Sequence, residues 1–232
     1  MHILLTRPLE DSKELILKFT SLGHKVSHLP VIKIEKVQYD EPEYNKFKGI
    51  IFTSSNSIKN LNTSKIDKNI NCFCVGSSTE KIAKQIGFQK IFCAEGNVNN
   101  LKEIILQNFD PKIGSLVYVS GEIISVNLDE DLISEGYVVK RIINYTVKPI
   151  EEINDEFIKD LKKTIPDIVF VYSENSARNF INLLKKYSLV DEWMETNLMC
   201  LGEKASSVLN EIKWKKIFLF NPGEEEFLLY KI

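Results

Sequence analysis

The sequence predicts an α/β protein in which parallel β-sheet is covered by helices on both faces. Apolar runs of Ile, Val, Leu and Phe alternate along the chain with segments whose apolar residues recur at helical spacing. The runs are uniformly apolar, which is typical of parallel strands buried on both faces. In addition, two kinds of strand–turn–helix segment each occur twice.

The elements follow one another in a regular order. The helices start near residues favoured as N-caps, and Gly23 and Gly87 end two of them. The first helix is indicated by Leu15, Ile16, Phe19 and Leu22, which recur at helical spacing. The predicted strands lie at 3–5, 26–34 (with Pro30 as an edge or bend), 49–53, 71–75, 90–93, 116–119, 138–145, 167–172, 198–201 and 216–220. The predicted helices lie at 15–22, 54–61, 77–86, 97–109, 128–134, 153–161 and 175–187. Two more follow, one that ends at 212 and one at 222–232.

The two repeated segments occur in the order X, Z, X, Z. An X segment is a strand, a helix, a glycine and a second strand, and its copies start at Ile3 and Leu116. A Z segment is a strand with a Ser- and Asn-containing turn, then a second strand that ends in glycine before a helix. Its copies start at Ile51 and Val169. Because two pairs of matches rarely keep the same order by chance, we infer an internal duplication.

Neutral hydrogen-bond donors collect at the predicted strand-to-helix turns. These turns lie at the carboxyl ends of strands, where open α/β sheets bind ligands. Backbone N–H groups at helix starts bind anions. The same residue types cap helices whether or not a ligand binds, so the repeated set, more than any one member, predicts an anion site. The set comprises Ser54, Ser55, Asn56, Ser77, Ser78, Thr79, Ser173, Asn175 and Ser176.

Arginine is rare in this chain. Arg7, Arg141 and Arg178 are the only arginines among 30 basic residues, and Arg7 and Arg178 lie at predicted strand-to-helix junctions. The planar guanidinium group suits carboxylates. Arg7 and Arg178 are therefore either carboxylate-binding residues or solvated surface residues.

Length and composition limit the class of protein. The 232 residues suffice for one large or two ordinary domains, and 44% hydrophobic and 27% charged residues are typical of a soluble globular protein. A net charge of −2 predicts no nucleic-acid partner. No apolar run approaches the ~20 residues that span a bilayer, and no secretory signal opens the chain. We therefore expect no membrane association and a cytoplasmic location.

Several kinds of site lack their motifs. The glycine-rich fingerprints of nucleotide-binding proteins and the serine elbow of α/β-hydrolases are missing. His2, His24 and His28 do not form a metal-binding pattern with carboxylates, and no redox cofactor is indicated. The four cysteines, Cys72, Cys74, Cys93 and Cys200, form no C-x-x-C pair and are interpreted as small buried residues. We therefore expect neither a metal nor a cofactor.

Over nearly its whole length the chain resembles the uroporphyrinogen-III synthases, the cyclases of tetrapyrrole synthesis. Each motif is weak alone, but their order and spacing together are specific. The carriers of the resemblance are Leu5-Thr6-Arg7-Pro8, Gly23 with Leu29-Pro30, Phe52-Thr53-Ser54-Ser55-Asn56, Val75-Gly76 with Thr79, Ala94-Glu95-Gly96 before Leu101, Gly121-Glu122 with Leu128, Gly136, Tyr145, Ser173 and Gly202.

The resemblance implies two flavodoxin-like domains joined by a two-stranded hinge, with the active site in the cleft between them. Residues 1–36 and 148–232 would form one domain and residues 37–147 the other. The implied reaction closes linear hydroxymethylbilane, which carries eight carboxylates, into uroporphyrinogen III. Water is lost and the last pyrrole is inverted, through a spirocyclic pyrrolenine in the usual proposal. The resemblance also implies a monomer and a reaction without cofactor.

Site residues follow from the same matching. Tyr145 is the implied catalytic residue, an acid or hydrogen-bond donor to the departing hydroxyl; the alternative is a buried strand aromatic. The expected substrate-binding residues are Thr6, Arg7, Ser54, Asn56, Gly76, Thr79, Gly121, Ser173, Arg178 and Gly202. The chain departs from the family pattern at Ser120, Ser125-Val126, Asn56 and Ala205. These departures leave backbone donors intact, so the expected cleft depends less on individual side chains.

Two other functions remain open from the sequence. The chain could be a non-catalytic two-lobed binding protein for a small polyanion, which would share the fold but change no isomer. A flavodoxin-like signalling module is a weaker alternative, because the chain lacks an acidic phosphoacceptor cluster at the strand ends.

Overall fold

The computed structural model describes residues 1–221 and 223–231, and of residue 231 only the backbone. The strands, in chain order, are β1 (His2–Leu5), β2 (Lys25–His28), β3 (Ile32–Lys36), β4 (Phe47–Phe52), β5 (Asn71–Val75), β6 (Lys90–Ala94), β7 (Ser115–Gly121), β8 (Val139–Pro149), β9 (Ile168–Val171), β10 (Asn197–Leu201) and β11 (Lys216–Phe220). Each predicted apolar run therefore contains a strand.

Helices alternate with these strands. They are α1 (Leu9–Ser21), α2 (Ser55–Lys59), α3 (Ser77–Gln85), α4 (Val98–Asn108), α5 (Leu128–Ser134), α6 (Asp155–Lys163), α7 (Glu174–Lys186), α8 (Glu203–Leu209) and α9 (Glu225–Leu228). The helix predicted over 222–232 is α9 followed by a 3₁₀ turn, Leu229–Lys231. Its predicted ends, Pro222 and Ile232, lie outside the described residues.

The contacts divide the chain into two compact units. The first unit is Met1–Lys33 with Lys148–Ile232, and the second unit is Ile34–Val147. The chain thus passes from one unit to the other twice, within β3 and within β8, which are neighbours in one sheet.

The first unit has a flavodoxin-like sheet. Its strand order is β2-β1-β9-β10-β11, and every pair in it is parallel. Counted along the chain within this unit, that is the order 2-1-3-4-5 of flavodoxin-like proteins.

The sheet of the second unit has the same spatial order with a permuted chain. Its order is β3-β8-β7-β4-β5-β6, so that β8 and β7 take the places of β2 and β1, and β4, β5 and β6 those of β9, β10 and β11. The X segments supply β1, β2, β7 and β8, and the Z segments supply β4, β5, β9 and β10, as the internal duplication predicts. In each unit one further strand, β6 or β11, follows the Z segment.

Both faces of the first sheet are buried. Leu4 belongs to the apolar cluster that contains Phe180 of α7. Its neighbours Ile3 and Leu5 point to the other face and pack with Phe19 of α1. Burying such a side chain fully contributes about 1.5–3 kcal/mol, so both helical layers stabilise the strand.

The second sheet is covered in the same way. Ile50 of β4 packs in the cluster that contains Ala83 of α3. The next residue, Ile51, packs on the opposite face with Leu101 and Ile105 of α4. The predicted parallel sheets buried on both faces are therefore confirmed.

The prediction of one strand over 26–34 was wrong, whereas the bend predicted at Pro30 is confirmed. The structure has two strands there, and they belong to different sheets. The break falls at Leu29-Pro30, because proline has no N–H to donate to a ladder. Helix α1 ends at Ser21, one residue before the predicted end, and Leu22 is its C-cap residue and 46% exposed.

Gly49 tests the packing of the second sheet. A Cβ at this position would lie 2.5 Å from Leu116 Cδ2 and 3.3 Å from both Phe109 and Phe73. Overpacking a core costs about 1–3 kcal/mol, and the lower chain entropy of alanine returns about 0.4–1 kcal/mol. We expect Gly49→Ala to lower the free energy of unfolding, measured by chemical denaturation.

The matched control is Lys48→Ala, which changes the exposed neighbour on the same strand and should stay within about 0.5 kcal/mol of wild type. A Gly49→Ala protein as stable as wild type would contradict this packing.

Candidate active site

The predicted site residues lie at equivalent places in the two units. Open α/β sheets bind ligands at the carboxyl ends of the two strands between which the strand order changes direction, here called the reversal point. In the first unit this point lies between β1 and β9, and Thr6-Arg7 and Ser173 follow those strands. In the second unit it lies between β7 and β4, where Gly121 ends β7 and Ser54 follows β4.

At the reversal point of the first unit, Thr6 and Arg7 have different roles. Thr6 is fully buried, and its hydroxyl donates a hydrogen bond of 2.6 Å to the carbonyl of Phe170. It therefore ties β1 to β9. The Arg7 guanidinium lies 4.4 Å from the ring centroid of Tyr172, a cation–π contact, and the Arg7 carbonyl accepts a 2.8 Å bond from His28 Nε2. Arg7 is thus held at the strand end as a half-buried cation.

Tyr172 was not recognised from the sequence. Burial raises the pKa of its phenol well above the ordinary value, and the nearby Glu225 carboxylate adds to this, while Arg7 opposes it. Among the described residues its buried hydroxyl has no geometric hydrogen-bond partner. Tyr172 is therefore a neutral platform on which the Arg7 guanidinium stacks.

Ser54 and Ser173 are matching N-caps. Ser54 Oγ accepts a 3.2 Å hydrogen bond from the backbone N–H of Asn56, and Ser173 Oγ accepts one of 3.2 Å from that of Ser176. Such caps are worth about 1 kcal/mol. Arg178 lies on the exposed side of α7, where it forms an ion pair of 2.9 Å with Glu174. Its guanidinium is thus already paired with a carboxylate.

Gly76 and Gly202 open α3 and α8 with the same backbone shape. Their φ/ψ angles are 81°/148° and 82°/164°, a region that is almost restricted to glycine. No atom lies within 4 Å of a Cβ built on either residue, so the requirement is for the conformation and not for space. Thr79 is buried in the first turn of α3, and its N–H donates to the carbonyl of Gly76 over 3.1 Å.

The most restrictive contact of the second unit joins Tyr145 and Gly121. Between β7 and β8 the register runs from Ser120↔Ile143 to Gly121↔Tyr145, so Asn144 is an extra residue in β8. This bulge directs the Tyr145 ring across Gly121, where a Cβ would lie 2.7 Å from Tyr145 Cζ. Only glycine leaves room for the ring. Bulges are frequent beside active sites, where they re-aim a side chain.

The bulge itself is anchored through Asn144. Asn144 is fully buried, and its Nδ2 donates a 2.7 Å hydrogen bond to the backbone carbonyl of Ser57. The backbone carbonyl of Asn144 accepts a 3.0 Å hydrogen bond from the N–H of Val37. The position of Tyr145 is therefore set on both sides of β8.

The Tyr145 side chain is packed, but its hydroxyl is not engaged. The residue is 7% exposed, and among the described residues no group forms a hydrogen bond with its hydroxyl. The nearby phenol of Tyr118, in contrast, shares a 3.0 Å hydrogen bond with the Thr53 hydroxyl. Burial raises the pKa of Tyr118, and the Thr53 bond and the Arg141 guanidinium partly offset this.

Arg141 is a second residue that sequence reasoning missed. Its guanidinium donates to Ser120 Oγ and to the carbonyls of Gly121 and Glu122, over 2.9, 2.9 and 3.1 Å. The rarity of arginine was the signal that could have found it. Arg141 was passed over because it lies inside a predicted strand and not at a strand-to-helix junction.

Other kinds of site are weakly represented. Within residues 1–221 and 223–231 no group of three His, Cys, Asp or Glu side chains could hold a metal ion. In the same part of the chain, no helix combines the length and the apolar character needed to cross a membrane. An open cavity of about 660 Å³ in the second unit contains none of the predicted site residues and is lined by Lys36, Gln38, Tyr39, Asp40, Glu41 and Asn62.

These features define a protein of two flavodoxin-like α/β units, each with polar turns at the carboxyl edge of its sheet. A family model described as uroporphyrinogen-III synthase HemD matches residues 13–219. The chain therefore belongs to the uroporphyrinogen-III synthase family. Members of this family are cyclising lyases of tetrapyrrole and haem biosynthesis that act on hydroxymethylbilane, so a non-catalytic binding protein is not favoured.

Solved structures agree on the fold. Uroporphyrinogen-III synthetase from Helicobacter pylori 26695 is 17% identical with a TM-score of 0.66, over 100% of this chain and 99% of that one. A mutant uroporphyrinogen III synthase from the extremely thermophilic bacterium Thermus thermophilus is 14% identical with a TM-score of 0.56, over 100% and 98%. At these identities the likeness establishes the fold alone. Comparison with curated protein sequences finds no match.

The contact between Gly121 and Tyr145 can be tested through stability. In Gly121→Ala the new methyl would collide with the phenol ring, at a cost of about 1–3 kcal/mol in the free energy of unfolding. In a Tyr145→Ala background the ring is gone, so the same substitution should cost less than about 0.5 kcal/mol. Chemical denaturation of the four proteins measures this coupling, and an equal cost in both backgrounds would contradict the contact.

Proposed function

We propose that this chain closes hydroxymethylbilane into uroporphyrinogen III, with Tyr145 as the acid that assists loss of the hydroxyl group. The observation that carries the proposal is a phenol whose ring is fixed across Gly121 while its hydroxyl is left for a ligand. Within the described residues nothing else occupies that hydroxyl.

The chemistry asks little of the protein at this step. The carbon–oxygen bond of the hydroxymethyl group breaks as the electrons of its pyrrole replace the departing pair. A proton donated by the phenol lets the oxygen leave as water. Closure with inversion then goes through a spirocyclic pyrrolenine. The new bond forms at the carbon of the last pyrrole that already carries a methylene bridge, the older bridge bond breaks, and the freed methylene group bonds to the unsubstituted carbon of the same pyrrole. That carbon loses its proton, which restores the phenol. The remaining task of the protein is to hold the two ends of the substrate so that the first bond forms at the bridged carbon, which is catalysis by positioning.

Recognition of a polyacid suits the turns of both units. Backbone N–H groups at the starts of helices favour anions, and Gly76 and Gly202 hold two such starts in the same conformation. Ser54, Asn56 and Thr79 in the second unit, with Thr6, Ser173 and Arg178 in the first, would shape the surroundings of the carboxylates. Arg7 is the best-placed cation, because its stacking on Tyr172 fixes it before the substrate arrives.

We also propose a monomer in the cytoplasm without a nucleic-acid partner. Cys72, Cys74, Cys93 and Cys200 are free thiols, which suits a reducing compartment. The net charge of −2 does not favour a polyphosphate backbone.

The decisive experiment is the isomer produced from hydroxymethylbilane. Purified protein should yield the type III isomer on chromatography, where the uncatalysed reaction gives type I. A product of type I alone would overturn the proposed function.

Tyr145→Phe removes only the hydroxyl and keeps the ring that packs on Gly121. Because general acid catalysis contributes at least about 10²-fold, kcat for type III formation should fall about that much while the fold is preserved. The matched control is Tyr137→Phe, whose hydroxyl donates to the carbonyl of Phe109 over 2.9 Å. That variant should lose about 1 kcal/mol of stability and keep its turnover. Unchanged kcat in Tyr145→Phe would assign the residue to packing.

Arg7→Ala removes a pre-positioned cation. If Arg7 meets a substrate carboxylate away from water, binding should weaken by about 1–3 kcal/mol, seen as a higher KM. Arg178→Ala should have a smaller effect, because Glu174 already neutralises that guanidinium. Lys13→Ala, an exposed cation on α1, is the control. A wild-type KM in Arg7→Ala would show that Arg7 only packs on Tyr172.

A further inference from the structure

The carboxyl end of β7 is held by one guanidinium group. Arg141 lies opposite Tyr118 in the register of β8, and its side chain runs along the sheet to the strand end. There it donates to three consecutive residues, Ser120, Gly121 and Glu122. Hydrogen bonds from a charged donor are stronger than neutral ones, so this fork fixes the last peptide groups of β7.

The same peptide groups are held from the other side by β8. The N–H of Glu122 donates to the carbonyl of Tyr145 over 2.9 Å, and the Glu122 carboxylate accepts a 2.7 Å hydrogen bond from the hydroxyl of Thr146. Ser120 is fully buried, and its hydroxyl, which accepts from Arg141, donates to the carbonyl of Gly121 over 3.0 Å. Gly121 is therefore clamped between Arg141 and the segment that carries Tyr145.

We infer that Arg141 is a positioning residue of the reaction, which holds the Gly121 peptide in the place that sets the direction of the Tyr145 hydroxyl. The Tyr145 ring touches Gly121 so closely that no Cβ would fit. A shift of the Gly121 backbone therefore moves or frees the phenol. This inference rests on the proposed function, because it needs Tyr145 to act on the substrate.

The geometry requires arginine and not merely a positive charge. The fork reaches a hydroxyl and two carbonyls through two different nitrogen atoms. A lysine ammonium is a point charge on a flexible stem and does not reproduce a planar fork. The donors of Arg141 form hydrogen bonds with groups of the protein. This distinguishes Arg141 from a residue that binds a substrate carboxylate.

The test compares Arg141→Met with Lys140→Met, which removes the exposed cation next to it on β8. Both are made in the wild-type and the Tyr145→Phe proteins, and kcat and KM for type III formation are measured with thermal melting as the check of folding. Misplacement of a catalytic group by about 1 Å can cost about 100-fold. We expect kcat of Arg141→Met to fall about 10- to 100-fold with KM within about twofold, and Lys140→Met to match wild type.

The Tyr145→Phe background separates positioning from other roles. If Arg141 acts through the phenol, Arg141→Met should lower kcat by less than about threefold once the hydroxyl is gone. If Arg141→Met lowers kcat in the Tyr145→Phe background by the same factor as in the wild-type protein, the inference is overturned. A raised KM with normal kcat, the result for a residue that binds substrate directly, would also overturn it.

Two further results keep the inference testable. If Arg141→Met does not fold, Arg141→Lys is measured in the same way; it keeps the charge but not the fork, and a wild-type kcat would overturn the inference. Wild-type turnover in Tyr145→Phe would overturn the proposed role of Tyr145 and the role of Arg141 with it. A defective Tyr145→Phe beside a fully active Arg141→Met would overturn the inference alone.

Discussion

The candidate site depends on one extra residue in β8. Without the bulge at Asn144, the side chain that follows would keep the alternation of the strand and would not lie across the end of β7. With the bulge, the Tyr145 ring rests on Gly121, and glycine at that position becomes a steric requirement. The contact combines a rigid ring with a hydroxyl that has no hydrogen-bond partner among the described residues, which is the arrangement that the proposed acid requires.

Hydrogen bonds from Asn144 and Arg141 hold the two strands that form this contact. The first unit repeats the strand order of the second. Each sheet reverses its chain order at a point where a turn follows one strand and an N-cap serine follows the other. The repeat is not complete in chemistry. Both units have a guanidinium group and a phenol near the reversal point, but in different arrangements. In the first unit the Arg7 guanidinium rests on the Tyr172 ring. In the second unit the Arg141 guanidinium is bound to the end of β7, and the phenol of Tyr145 lies over a glycine.

Local chemistry explains which parts the sequence could predict. The strands were visible as apolar runs, and Gly76 and Ser54 as a glycine turn and an N-cap, because each depends on its near neighbours in the chain. The bulge at Asn144 and the fork of Arg141 depend on how β7 and β8 align, and residues 20 apart in the chain meet there. No local pattern encodes that register. Tyr145 was reached only through the family resemblance, since a tyrosine in an apolar strand is more often a core residue.

The most direct measurement is a crystal structure of the protein with uroporphyrinogen III bound. We expect the Tyr145 hydroxyl within about 3 Å of the ligand, above an unmoved Gly121. A phenol turned away from the ligand would contradict the proposed role of Tyr145.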